Sequence, residues 1–231
     1  MERLDKILSD AGFCSRRDCA RLVRRKLVTV NGAVASNASD KVEDDASIEV
    51  DGVAIVRRRR VVCMMNKPRD FVTSTEDPIS RTVMELLPED LLRQGVVPAG
   101  RLDKDTEGLL VFTNDGDLLH RLISPRHEVS KTYLVRHEGS VTENEIQRAK
   151  EGIVLKDGSV CKSAKIRCIE DGLSTITIRE GMYHQVKRMF AALGCHVLEL
   201  KRLSVGSLEL GDLETGAVRE LTQDELALLS D

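Results

Sequence analysis

The chain has 231 residues, 41% of them apolar and 32% charged, with a net charge of −3. That length allows one large domain or two small ones, and no apolar run approaches the roughly eighteen residues of a membrane span. The first residues, MERLDKILSD, lack an apolar secretory stretch, so a cytoplasmic protein is expected. Six cysteines stand at 14, 19, 63, 161, 168 and 195 without a CxxC pair, and they are expected as reduced, mostly buried thiols.

The mean charge hides a division. Residues 13–26, FCSRRDCARLVRRK, carry six Lys/Arg against one acid, residues 57–60 are RRRR, and HQVKRMF adds a further basic cluster. The acids gather in DKVEDD (40–45) and in the tail. A polyanion answers to local potential, so nucleic acid stays a candidate partner.

Leu4, Ile7, Leu8 and Ala11 fall at i, i+3, i+4 and i+7, which predicts a helix ended by Gly12. Ser15 with Asp18 three residues on predicts the cap of a second helix. That helix would bury Cys19, Leu22 and Val23 and turn Arg16, Arg17, Arg21, Arg24 and Arg25 outward. Asn31-Gly32 and Asp51-Gly52, each inside an alternating run, are hairpin signals. Residues 1–60 thus read as a small binding module, with the arginine run as a linker that is either a solvated spacer or a phosphate contact. The stretch RLDKILSDAGFCSRRDCARLVRRKLVTVNG resembles the S4 RNA-binding module, a likeness that covers roughly residues 2–50 and implies that the arginines of the second helix meet RNA.

From Val61 the pattern is mixed. VVCMMNK, GLLVFTN, KTYLVRHEG and STITIRE read as strands, and TVMELLPEDLLRQG, GDLLHRLIS, TENEIQRAKEG and HQVKRMFAALG as helices. Thr222 with Glu225 opens a terminal helix. The irregular alternation predicts an α+β domain over 61–231 with a mixed sheet. No GxGxxG or Walker A stretch offers a nucleotide cofactor a seat, and no long repeat is visible.

Residues 99–110, AGRLDKDTEGLL, set Arg101, Asp103 and Asp105 at spacings of two before a buried strand. If extended, the three share a face, and a carboxylate beside an arginine suits a nucleophile. Taken locally, the same residues also describe an ion-paired surface loop. REGMYHQVKRMFAALG adds Lys187 and Arg188 where a strand passes into a helix, and KTYLV adds Tyr133, one of two tyrosines, which as a strand aromatic could equally be half-buried packing.

In succession, NKPRDFVTSTEDP, AGRLDKDTEGLLVFTNDGDLLHRL, KTYLV and EGMYHQVKRMFAALGCHV resemble the motifs of the pseudouridine synthase family of bacterial ribosomal RNA, over nearly all of residues 61–210. STEDP, SPRHEVSKTYLV and YHQVKRMFAA are similar to its small-subunit (16S) branch. The resemblance implies that Asp103 is the nucleophile, that Arg101 holds out the extruded nucleotide, and that Tyr133 packs on the target uracil and acts in proton transfer. It further implies that Lys187 pairs with Asp103 and Val186 touches the base, while Arg188 and Lys67 contact substrate. On this reading Asp103 lies between Arg101 and Lys187, Asp105 and Thr106 shape the loop, and Glu107 faces solvent. Where the family commonly has glycine two residues after its lysine-proline motif, this chain has Asp70, whose side chain tolerates unusual backbone angles.

The implied reaction isomerises a uridine of 16S rRNA, of the uridine-516 type, to pseudouridine, with no metal or cofactor required and a monomer as the default. Three alternatives stay open: the same reaction on a 23S rRNA uridine, a non-catalytic S4-type ribosome-assembly protein, and a hydrolase using Asp103 with Asp105.

Overall fold

A computed structural model describes residues 1–11, 13–55 and 60–229. The chain divides into two compact units, 1–59 and 60–231. Gly12, the expected helix stop, and Arg57–Arg59 of the expected linker lie outside the described residues.

In the first unit, β1 (Glu2–Arg3) leads into α1 (Leu4–Asp10), and α2 (Arg16–Arg24) follows. The Ser15 hydroxyl accepts the Asp18 N–H, so the expected cap forms. β2 (Val28–Val30) and β3 (Ala33–Val34) close over Asn31-Gly32, and after β4 (Lys41–Val42) comes a second hairpin, β5 (Ile48–Val50) and β6 (Val53–Ala54), closed over Asp51-Gly52. All four turn residues have positive φ, as a two-residue turn of this hand requires. Leu4, Leu8, Cys19, Val23, Val28 and Ile48 form the core, and Arg16, Arg17, Arg21, Arg24 and Arg25 are exposed. One expectation fails here. Cys14 and Cys19 are joined as a disulfide, because the turn at Ser15 brings their Cα atoms to 5.8 Å, within bridging distance. Cys63, Cys161 and Cys195 are buried free thiols, and Cys168 is an exposed one.

The second unit is built on a mixed sheet. Its strands are β7 (Val62–Lys67), β8 (Val97–Pro98), β9 (Glu107–Thr113), β10 (Lys131–Glu138), β11 (Lys165–Glu170), β12 (Leu173–Ile178), β13 (His196–Val205), β14 (Leu208–Glu209) and β15 (Val218–Glu220). Among the described residues the order is β11-β12-β10-β13-β9-β7-β15, with β14 beside β13 and β8 beside β9. β9 and β13 run parallel and the other pairs antiparallel.

The central strands are apolar on both sides. Cys63, Met65, Leu110 and Phe112 join a core with α3 (Glu89–Arg93), α5 (Glu143–Glu151) and α6 (Gln185–Ala192), while Val62, Met64, Leu109 and Val111 join one with α4 (Gly116–Ile123) and α7 (Gln223–Leu228). Two covered faces explain why these strands read as continuous apolar runs.

Three departures have local causes. TVMELLPEDLLRQG does not form one helix: a 3₁₀ turn (Val83–Leu86) is separated from α3 by Leu87, held extended at ψ 138° ahead of Pro88. β11 was not anticipated because it is largely exposed, and β13 because register shifts at Thr132/Tyr133 and Arg136/His137 break its alternation.

The parallel pairing of β9 with β13 depends on Gly108. It has φ +104°, and a Cβ there would lie 2.2 Å from the Arg202 carbonyl oxygen. Gly108→Ala is expected to destabilise the protein by about 3 kcal/mol or more, from backbone strain and a forced separation of strands. Thermal unfolding checks this, and an unchanged midpoint would show that the strands part without cost.

Candidate active site

The loop that carries Arg101, Asp103 and Asp105 joins β8 to β9 and is tied from outside. The Thr73 hydroxyl donates to the Leu102 carbonyl at 2.8 Å and accepts the Leu102 N–H at 3.1 Å. Lys67, fully buried, donates from Nζ to the carbonyls of Thr106 (2.8 Å), Pro68 (2.9 Å) and Lys104 (3.3 Å). The Asp70 N–H also donates to the Lys104 carbonyl, at 2.8 Å. Asp70 has φ +70°, so the aspartate adopts the left-handed turn that glycine would take. Lys67, expected to contact substrate, instead has its three ammonium protons on three backbone carbonyls, and an ammonium so placed braces the loop. Burial lowers its pKa to about 8, against the opposing charges of Asp105, Glu107, Asp103 and Asp70.

Asp103 stands half-buried on this braced loop. Lys187 Nζ is 3.3 Å from its Oδ2, and His184 Nε2 is 3.5 Å from its Oδ1. Lys187 also donates to Asp105 Oδ1 at 2.5 Å, so one ammonium spans both carboxylates and makes the shorter contact with Asp105. Burial would raise the Asp105 pKa, but the Lys187 hydrogen bond and charge outweigh it and hold the carboxyl below its usual range. Arg101 is exposed on the cleft wall and makes no ion pair with Asp103 among the described residues, so His184 occupies the side expected for the arginine. Glu107 is half-buried and meets Arg69 at 3.5 Å instead of facing solvent.

The start of α6 sets His184 and Lys187 in place. His184 is its N-cap, at φ 48° and ψ 34°, a backbone region that costs a non-glycine residue about 1–3 kcal/mol. Gln185, buried, holds that turn: its Oε1 accepts the Met182 N–H at 2.9 Å and its Nε2 donates to Glu180 at 2.5 Å. His184 and Gln185 stand in the sequence as the HQ pair before Val186, a pairing that carries no spacing signal of a task, and only the fold reveals what they face.

A cleft of about 740 Å³ opens beside Asp103, within the ~300–1,000 Å³ range of small-molecule sites. Tyr133 and Val186, both buried, line it, as do Arg101, His184 and Tyr183. Two further cations that spacing did not reveal also line it. Lys131 lies two residues before Tyr133 on β10, and Arg202 pairs with Tyr133 across β13. Arg202 is 2% exposed, with Nε donating to the Leu109 carbonyl at 2.7 Å and Nη2 buried without a partner. Burial, then the Arg202 charge, lowers the Lys131 pKa to about 8. Arg188 lies outside the cleft, pairing with Asp157 at 2.5 Å and donating to the Tyr183 carbonyl at 3.3 Å.

A braced carboxylate among cations, with an aromatic and an apolar wall, is equipped to act on a flat, polar ring. Comparison with known proteins gives the class. Residues 61–192 match the family model described as RNA pseudouridylate synthase, and residues 2–48 match the S4 domain. The chain is 40% identical over 97% of its length to "Ribosomal small subunit pseudouridine synthase A" of Escherichia coli (strain K12), covering 98% of that protein. It is also 36% identical to "Ribosomal large subunit pseudouridine synthase B" of Bacillus subtilis (strain 168), over 99% of this chain and 96% of that one. A solved structure entitled "Crystal structure of pseudouridylate synthase" superposes with a TM-score of 0.71 at 37% identity, covering 99% of this chain and 100% of the other. The chain belongs to the RNA pseudouridylate synthase family. It is an isomerase of α+β fold, with an S4 domain preceding the catalytic domain.

The positive cleft has a stability consequence. Lys131 has a folded pKa of about 8, below its ordinary 10.5. Below pH 8 the folded protein therefore bears the whole cost of the buried charge, and that cost fades as pH rises from 8 to 10.5. Lys131→Met is expected to stabilise the protein at pH 7 by ~1 kcal/mol, the partial exposure of the amine being allowed for. The gain should shrink towards pH 10.5 in urea titrations; a gain that does not change with pH would count against a strained ammonium.

Proposed function

We propose that this protein converts one uridine of small-subunit (16S) ribosomal RNA, of the uridine-516 type, to pseudouridine, with Asp103 as nucleophile. The observation that carries the reading is the placement of Asp103: a carboxylate on an externally braced loop, flanked by Lys187 at 3.3 Å and His184 at 3.5 Å, at a cleft walled by Tyr133 and Val186. The branch rests on the small-subunit relative, 40% identical at full length.

The target uridine must leave its stack to bring C1′ or C6 to Asp103. Arg101, exposed on the cleft wall, takes the space the nucleotide vacates. Tyr133 and Val186 receive the uracil between them, and Tyr133 serves proton transfer. Attack at C6 pushes an electron pair onto the C5–O4 side of the ring, whereas attack at C1′ expels uracil as an anion. On either route the negative charge of the carboxylate passes to the ring, where Lys131 and Arg202 favour it in a partly dehydrated site. In both cases the C1′–N1 bond breaks and the ring joins C1′ through C5. The bond to Asp103 breaks and returns its carboxylate, the C5 proton departs and N1 gains one, so atoms and charge balance. Arg16, Arg17, Arg21, Arg24 and Arg25 on α2 hold RNA by its phosphates. The protein acts in the cytoplasm as a single chain.

A second reading, the same reaction on large-subunit RNA, draws on the 36% identical relative. Mapping pseudouridines in ribosomal RNA from cells with and without the gene decides between them. Loss of one small-subunit site is expected, and loss of a large-subunit site overturns the branch.

Asp103→Asn is expected to lower single-turnover isomerisation at least ~10³-fold while RNA binding persists; retained turnover would remove Asp103 as the nucleophile. Neutralising Arg21, Arg24 and Arg25 together should weaken binding and reduce the salt dependence of affinity by up to ~0.9 per lost phosphate contact. An unchanged slope would take α2 out of the RNA interface.

A further inference from the structure

Tyr183 is the aromatic residue that the reaction leaves without a task. It is 74% exposed, in a chain with two tyrosines and no tryptophan. Its ring stacks on His184 at 3.8 Å between centroids and 20° between planes, and His184 in turn reaches Asp103. The backbone beneath it is held on both sides, by the Arg188 bond to its carbonyl and by the Gln185 bond to Met182.

Tyr183 also lines two hollows at once. One is the cleft beside Asp103. The other is an open groove of about 930 Å³ formed with Val154, Leu155, Lys156, Asp157, Arg188 and the Ala191–Ala192 end of α6. Lys156 is exposed along this groove, and the Arg188 charge is balanced by Asp157, which leaves the groove a net cation.

We propose that Tyr183 is the stacking platform for the nucleobase next to the flipped uridine, and that the adjoining groove carries the RNA strand onward past Lys156. The proposal rests on Asp103 marking the position of the reacting uridine. Extruding a uridine strips its neighbour of a stacking partner, and an aromatic face replaces that partner for any base. One face of Tyr183 is occupied by His184, and exposure leaves the other available. The stack on His184 fixes the ring before RNA arrives, so little rotamer freedom remains to be lost on binding. The resulting column of base, Tyr183 and His184 ends at the reacting carboxylate.

The test is a cycle that alters protein and RNA separately. The RNA is an oligonucleotide spanning the mapped uridine, unmodified or with an abasic residue on its 5′ or 3′ side. The full-length wild type, Tyr183→Phe and Tyr183→Leu are compared under single-turnover conditions. On unmodified RNA, Tyr183→Leu is expected to raise the half-saturating RNA concentration roughly 5- to 150-fold, the value of one base-aromatic stack. The rate at saturation should stay within about threefold, and Tyr183→Phe should match the wild type, because stacking needs the ring and not the hydroxyl.

On RNA abasic at the stacked position the leucine variant and the wild type should converge. A leucine variant that saturates like the wild type, or one that loses the same factor on abasic RNA, overturns the proposal. So does a loss confined to the rate at saturation, which would place Tyr183 behind His184 instead of beneath a base. Asp103→Asn, measured alongside, separates the premise from the proposal. Persistent turnover there defeats the nucleophile assignment, whereas an inactive Asp103→Asn with an indifferent Tyr183→Leu defeats the platform alone.

Discussion

The site depends on one buried ammonium. Lys67 ends β7 with no exposed surface and delivers its protons to the carbonyls of Pro68, Lys104 and Thr106, so the edge of the sheet and the Asp103 loop form one object. A loop this polar would otherwise be mobile, because its backbone groups could find water in many conformations. Thr73 fixes Leu102 and the Asp70 N–H doubles the hold on Lys104, which leaves Asp103 between two pinned residues. Rigidity is bought with charge burial, and the lowered pKa of Lys67 registers that cost. In the nucleophile role proposed above, Asp103 gains from that fixed placement.

The same logic extends across the sheet. Gly108 lets β9 lie against Arg202 of β13, and this contact sets the Arg202 guanidinium beside Tyr133 and the cleft. Lys131 adds its charge nearby, and the Arg202 charge adds to the cost of burying it. Neither has a carboxylate partner among the described residues. Their arrangement lowers the stability of the empty fold and favours any state in which the cleft holds negative charge. In the reaction proposed above, which moves charge from a carboxylate onto a ring, such preorganised electrostatics favour the charged ring.

Much of this was readable in the chain, for identifiable reasons. Hairpin turns at Asn31-Gly32 and Asp51-Gly52, the Ser15 cap and the Thr222 capping box are local signals, and each appears where expected. The run that Pro88 divides shows the limit of periodicity, since one proline after the Leu86–Leu87 pair splits an expected helix into two short pieces. β13 escaped notice because bulges in its pairing with β10 disrupt the two-residue repeat that betrays a strand. The family resemblance implies roles for Asp103, Lys187, Tyr133 and Val186, and the fold brings all four to one region. For Lys67 and Arg188 the family resemblance implies contact with substrate. Only three-dimensional packing shows one of them sealed beneath a loop and the other paired with Asp157.

His184 is the residue where these constraints meet. A non-glycine residue in the left-handed region persists only if its surroundings over-determine it, and here three do so: the Gln185 clamp, the Tyr183 ring and the Asp103 carboxylate. The strain sits directly between the Asp103 carboxylate and the exposed rim of the cleft. Asp103 is consequently held from below by a buried brace, and from above by a residue whose other face leads to the outer rim. The lower support is sealed in the protein, and the upper one is open to whatever strand enters the cleft.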